Sequence, residues 1–251
     1  MTKHPYSVFN DQDSLFEYLA SELLSYSHLG QPQHISLSGG STPKGLFQYI
    51  VSSRFKREIK WQHLHFWWGD ERCVDFADEQ SNYGEAQRLL FDHVDIPKQN
   101  LHAIPLDVKS SIEDYHLVAE AYASRMKKHI PMNECYPVYD WVLLGVGTDG
   151  HTASLFPEQC HYDDQAIALC VLKPGTNEFR VTLSAKAISA AKRISYLALG
   201  LSKASVMSAI IKKQRLYQHY PAANIYALNG STEYLLDTES GHALLHSEIG
   251  E

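Results

Sequence analysis

At 251 residues the chain has room for one large α/β domain or two small ones. Its make-up, 44% apolar and 20% charged, is that of a folded globular protein rather than a disordered one. With 22 basic against 29 acidic residues the net charge is −7, which excludes a general attraction for nucleic acid or an anionic membrane. An anionic ligand would have to be held by local geometry. No run approaches the ~20 apolar residues of a membrane span, and no apolar stretch follows a basic start, so no signal peptide is read. Cys73, Cys135, Cys160 and Cys170 lack metal-type spacing and read as reduced thiols of a cytoplasmic protein.

Ser14 to Leu29 has the pattern of an amphipathic helix. Ser14 and Glu17 have capping-box spacing, Leu15, Leu19 and Leu23 share a face, and Gly30 and Pro32 stop it. His34 to Leu37 reads as a strand. A helix to about Val51 follows, with Thr42 at its N-cap and Pro43 in its first turn. Leu64 to Trp68 is a second strand, and a helix is expected around Tyr83 to Phe91. Ile112 to Ile130 is a long helix and Tyr139 to Leu144 a buried strand. Strands over Ala166–Leu172, Phe179–Leu183, Ile194–Leu199 and Thr232–Leu236 alternate with helices over Ala185–Ala191 and from Gly200 through Ile211. The last strand leads to an acidic tail, expected to be mobile. This alternation predicts one α/β domain spanning residues 1–251, an open, mostly parallel sheet with helices on both faces. Ligands of such sheets collect at the carboxyl ends of strands. That singles out the loops after Leu37, Trp68, Leu144 and Leu199.

The loop Ser38-Gly39-Gly40-Ser41-Thr42-Pro43 suits an anion. Two glycines let backbone N–H groups converge, Ser41 and Thr42 add hydroxyls, and a helix offers its positive end. A capped helix after a tight turn fits the same residues equally well. Gly69-Asp70-Glu71-Arg72 is either a solvated turn or an oxyanion site, with Arg72 oriented by Asp70 or Glu71. Gly145-Val-Gly147-Thr-Asp149-Gly150-His151 has dinucleotide-type glycine spacing, but Pro157 cuts short the helix that such a site requires. A catalytic loop fits better: His151 as general base, with Asp149 to fix its tautomer. Lys203, Lys173 and Arg180 are candidate counter-charges around the same edge. His63 and His65 alternate as if to share a side of a strand, yet no third ligand accompanies them and no metal is expected. They and the loop Cys160 to Asp164 have no account at this level.

Together "LSGGSTP", "WWGDERCV", "SNYGEA", "LLGVGTDGHTASLFP" and "LGLSK" resemble the 6-phosphogluconolactonases, from about Ser38 to Asp237. The resemblance implies the fold of the superfamily shared with glucosamine-6-phosphate deaminases and ribose-5-phosphate isomerases. It also implies hydrolysis of 6-phospho-D-glucono-1,5-lactone, in the oxidative pentose phosphate pathway, without cofactor or metal. His151 would be the general base, Asp149 its orienting partner and Arg72 a group near the carbonyl. Ser38, Gly39, Gly40, Ser41, Thr42, Arg180 and Lys203 would hold the phosphate, and Asp70 would orient the substrate. Lys173 is set aside, because the segment Lys173 to Arg180 is two residues longer than the family's usual Lys-Pro-Pro-x-x-Arg. The deaminases place a catalytic glutamate five residues after the histidine, where this chain has Phe156. A non-catalytic sugar-phosphate sensor is a further alternative, disfavoured as a DNA-binding regulator by the short acidic N-terminus. The resulting expectation is a cytoplasmic monomer acting on a small phosphosugar lactone.

Overall fold

The computed structural model describes residues 5–106 and 112–245. Its strands are β1 (Tyr6–Phe9), β2 (Gln33–Leu37), β3 (Leu64–Trp68), β4 (Asp70–Arg72), β5 (Leu101–His102), β6 (Trp141–Gly145), β7 (Ala168–Leu172), β8 (Phe179–Leu183), β9 (Arg193–Ala198) and β10 (Ser231–Asp237). Seven form a parallel sheet in the order β1-β10-β9-β6-β2-β3-β5. Chain progression from β2 runs outward to β3 and β5, and from β6 it runs the opposite way to β9 and β10. Parallel strands joined through helices and built outward in two directions match the alternation of elements in the sequence. Direction reverses between β2 and β6, which pair only at Ile35–Trp141 and Ser36–Val142. Loops leaving these two strands diverge and open a crevice.

Three strands the sequence did not reveal complete the fold. β1 is an edge strand and β5 has two residues, both too short for a period-2 signal. β4 falls where a loop was expected. A single residue, Gly69, separates it from β3, and it joins β8 and β7 in a second, antiparallel sheet, order β4-β8-β7. Alternation in this small sheet sorts its charges. Glu71 and Val181 are paired and fully buried on one face, whereas Arg72 lies directly across from Arg180 on the other. Glu71 accepts hydrogen bonds from the N–H groups of Arg72, Asn82 and Tyr83 and from the Ser81 hydroxyl. It thereby satisfies the N-terminus of helix Asn82–Leu89, so it does not orient the Arg72 side chain, one of the two roles offered for it.

Two helix starts also differ from expectation. The first helix is Gln12–Ser27, capped by Asp11, whose carboxylate accepts from the Ser14 N–H at 2.7 Å. Ser14 is therefore a donor to the cap, and Glu17 instead bonds Tyr49 and Arg54. The second is Ser41–Ser52, with Gly40 at the N-cap at φ +106° and no side-chain cap, so Thr42 stands inside the first turn. The tail begins as a short helix, His242–Leu245, and residues 246–251 lie outside the described region.

His34 and His65 face each other on β2 and β3, and His102 on β5 stacks flat on Trp67 with 3.9 Å between ring centres. The Trp67 indole N–H donates to His34 Nδ1, and His65 Nδ1 lies 3.1 Å from His102 Nε2. His63 stands apart, its Nδ1 2.8 Å from the Ser27 carbonyl, so His63 and His65 serve different contacts. Among the described residues no group of three or more His, Cys, Asp or Glu is arranged to hold a metal ion. Burial, then the nearby His65, pushes His34 down to about 4 and His102 to about 3. Both are neutral when folded, whereas the unfolded chain protonates them near pH 6.5. Stability contributed by the neutral pair is therefore full above about pH 6.5 and lost as pH falls toward 4. Urea unfolding between pH 7 and 4.5 should show a loss on the order of a few kcal/mol. His102→Phe, which keeps a ring on Trp67, should flatten that slope.

Candidate active site

The crevice between β2 and β6 opens into a cleft of about 340 Å³. All four loops singled out from the sequence reach it. Ser38 to Pro43 line it from β2, Asp70 and Arg72 from β4, Gly145 to Gly147 and His151 from β6, and Leu199 and Lys203 from β9. Arg180 and Lys173 enter from the small sheet. Every residue assigned to the site is thus in the cleft wall except Asp149, which reaches it through His151.

After Gly145 the chain folds into a compact loop, not a helix. Gly150 N–H donates to the Gly147 carbonyl, Gly147 N–H to the His151 carbonyl, and the Thr152 hydroxyl to the Gly145 carbonyl. This turn brings His151 Nδ1 to 2.5 Å from Asp149 Oδ1. Burial works to raise the Asp149 carboxyl, but the charge and hydrogen bonds of His151 outweigh it and hold Asp149 below the usual range. Asp149 is thus a stable anion that fixes an N–H on Nδ1, leaving Nε2 as the ring's acceptor. Phe156 packs its ring 5.1 Å from the imidazole. Gly147 makes the pair possible: a β-carbon there would lie 2.1 Å from His151 Nδ1 and 2.4 Å from Asp149 Oδ1.

On the opposite wall Gly40 frees the start of helix Ser41–Ser52. Its first N–H groups have no intrahelical partners, which makes the turn a ready anion site. The Ser38 hydroxyl is buried without a partner. Asp70 accepts from the Ser154 hydroxyl at 2.7 Å. The Arg72 guanidinium donates to the Gln80 carbonyl, and Arg180 pairs with Glu178. Both arginines keep a buried Nε without a partner, as does Asn82 Oδ1. Like charges directly opposite on antiparallel strands repel, so the Arg72–Arg180 register favours an anion between them. Burial holds the Lys203 ammonium below its usual range, partly offset by the charge of Asp149.

Two polar cleft residues escaped the reading of the sequence, and a third was named and then set aside. Asn82, whose amide donates to the Asp70 carbonyl, sits so close to Gly39 that a β-carbon there would meet its Oδ1 at 1.7 Å. It lay in the quoted "SNYGEA" without being singled out. Ser154 follows Ala153, held at φ +48°, a strained position for a residue with a β-carbon. Lys173, set aside because of the longer segment, lines the cleft. The reason is parity. Two extra residues in a hairpin move a side chain along the strand without turning it to the other face.

Residues 10–234 match the family of glucosamine-6-phosphate isomerases and 6-phosphogluconolactonases. The chain belongs to this family. Its sequence relatives there include the 6-phosphogluconolactonase of Aggregatibacter actinomycetemcomitans, 42% identical over 95% of this chain and 99% of that one. Among solved structures, the devB protein is 45% identical with a TM-score of 0.89, covering 95% of this chain and 98% of that one. The 6-phosphogluconolactonase of Trypanosoma brucei is 27% identical with a TM-score of 0.81, covering 97% and 100%.

Gly147→Ala should separate the His151–Asp149 pair while leaving the fold intact. Nitrogen NMR of the imidazole should lose the signature of a hydrogen-bonded Nδ1–H, with an unchanged circular dichroism spectrum. A retained signature would mean that the turn absorbs a β-carbon.

Proposed function

We propose that the protein is a hydrolase of 6-phospho-D-glucono-1,5-lactone, producing 6-phosphogluconate for the oxidative pentose phosphate pathway. The observation that carries this reading is the His151–Asp149 pair at 2.5 Å, facing a cleft with converging cations. Its lactonase relatives, matched over nearly their whole length, support the same reaction.

His151 Nε2 takes a proton from a water as the water oxygen adds to the lactone carbonyl. Asp149 holds the imidazole in the required tautomer and stabilises the imidazolium that forms. Arg72 lies near the carbonyl and faces the negative charge that develops on its oxygen. Collapse of the tetrahedral adduct breaks the bond to the ring oxygen, which leaves as an alcohol after taking the proton from His151. A carboxylic acid is released and ionises. Water is the only second reactant, and no cofactor enters the balance.

The turn from Ser38 to Thr42, with Arg180, receives the phosphate at the far end of the substrate. Lys203 adds positive charge from the side of Asp149, and Asp70, steadied by Ser154, accepts from a sugar hydroxyl. Anchoring the phosphate fixes the carbonyl relative to the water, a source of rate independent of the base. The deaminase alternative loses support at Phe156. An apolar ring on His151 cannot transfer the second proton that an amino-sugar isomerisation demands. We also infer a cytoplasmic, single-domain monomer. No described helix is long and apolar enough to cross a membrane.

His151→Ala should reduce kcat by about 10²–10⁴-fold, measured with freshly generated lactone at slightly acidic pH, where spontaneous hydrolysis is slow. Equal acceleration by both proteins would remove His151 as the base. No acceleration by the wild type would leave a sugar-phosphate binding protein.

A further inference from the structure

The β7–β8 hairpin closes through Lys173 to Glu178. Lys173 N–H donates to the Glu178 carbonyl at 3.0 Å, so these two residues face each other just beyond the Leu172–Phe179 pair. Val171, Lys173, Glu178 and Arg180 therefore share one face of the small sheet. The Glu178 carboxylate touches both cations, at 2.6 Å from Arg180 and 3.2 Å from Lys173. Arg180 and Lys173 line the cleft; Glu178 lines a neighbouring cavity of about 270 Å³, with Gln80, Tyr115 and Asn177, and Arg72 is a wall of both.

We propose that Glu178 is a displaceable internal anion, which occupies Arg180 and Lys173 in the free protein and yields them to the phosphate of the substrate. The proposal rests on the lactonase reading for the identity of that phosphate. Three observations support it. The Arg180 side chain is 9% exposed and that of Glu178 45%, so the cation is fixed in the wall while its partner stands at the rim. The Lys173 contact joins two half-exposed groups, the kind of pair that contributes little and is readily exchanged. A phosphate brings up to two charges and three acceptor oxygens to the same donors, against one charge from the carboxylate. The second observation is room. The adjoining cavity, lined by Asn177, Gln80 and Tyr115 as well as Glu178, is open to a carboxylate that swings away from the cleft. The third is charge. Without Glu178 the three cations Arg72, Arg180 and Lys173 would share the cleft wall with a single lining carboxylate among the described residues, Asp70, an imbalance that like-charge repulsion disfavours.

Glu178 thus acts as a built-in competitor that sets the affinity of the anion site. Calorimetric titration with inorganic phosphate, together with lactonase kinetics, tests this on the wild type and Glu178→Gln. The variant should bind phosphate about twofold to tenfold more tightly. Its KM should fall by a similar factor while kcat moves much less. Both gains should shrink as salt is raised, which a merely structural role of Glu178 would not produce. Unchanged or weaker phosphate binding in the variant overturns the proposal, as does a KM that rises, or phosphate that binds neither protein. Tighter phosphate binding in a pair of proteins that both lack lactonase activity would keep Glu178 as the internal anion and reject the reaction instead.

Discussion

The reversal of strand order between β2 and β6 is the constraint on which the site depends. A parallel sheet built outward in both directions must leave a gap where the two directions part, because the following loops turn to opposite faces. Here the two strands hold each other through only two residue pairs. The turn after β2 is thereby free to present backbone N–H groups, and the turn after β6 to present an imidazole. Neither could do so if the strands stayed paired to their ends. The core below is what makes the gap affordable: Ile35, Trp141, Val142 and Leu144 are fully buried at the seam, so the sheet does not need the lost hydrogen bonds to hold its register.

Electrostatics follows from this geometry rather than from composition. The chain is net negative, yet Arg72, Arg180, Lys173 and Lys203 converge on one cleft. The small antiparallel sheet accomplishes most of this. Because β4 follows β3 after a single glycine, its side chains alternate between a helix-packed interior and the cleft. Glu71 goes inward to satisfy a helix N-terminus, and Asp70 and Arg72 go outward. One three-residue strand therefore supplies both a structural carboxylate and two polar groups of the cleft, and a register slip of one residue would exchange them.

Much of this was legible in the sequence because it rests on local signals. Long strands such as Trp141–Gly145 announce themselves by apolar runs, and glycine-rich turns by composition. The loops at the strand ends could be named before any coordinates, since parallel order alone assigns ligands to them. Where the reading failed, the deciding interaction was distant. Asp11 wins the cap of the first helix from Ser14 through a hydrogen bond that spacing alone does not rank. Glu71 looks like half of a charged turn until its partners Ser81 to Tyr83 fold back on it, ten to twelve residues later. Asn82 and Ser154 are short polar residues among many, distinguished only by what they touch. Lys173 was lost by counting residues between charges, when the quantity that matters in a hairpin is whether that count changes by an odd or even number.

The same logic bears on how one fold divides between two kinds of chemistry. Isomerisation of an amino sugar moves protons between neighbouring carbons and requires a second acid–base group beside the histidine. Lactone opening requires one base, and returns its proton to the leaving oxygen. At the position where the first reaction would place a carboxylate, this chain packs a phenyl ring, mostly buried, 5.1 Å from the imidazole. An apolar neighbour offers the imidazole no hydrogen bond on that side, while Asp149 holds its Nδ1. Phe156 thus offers the imidazole no second acid–base group at that position. The strained backbone at Ala153 serves the same arrangement, since it turns the chain sharply enough for Ser154 to reach Asp70 and Phe156 to reach His151 within five residues.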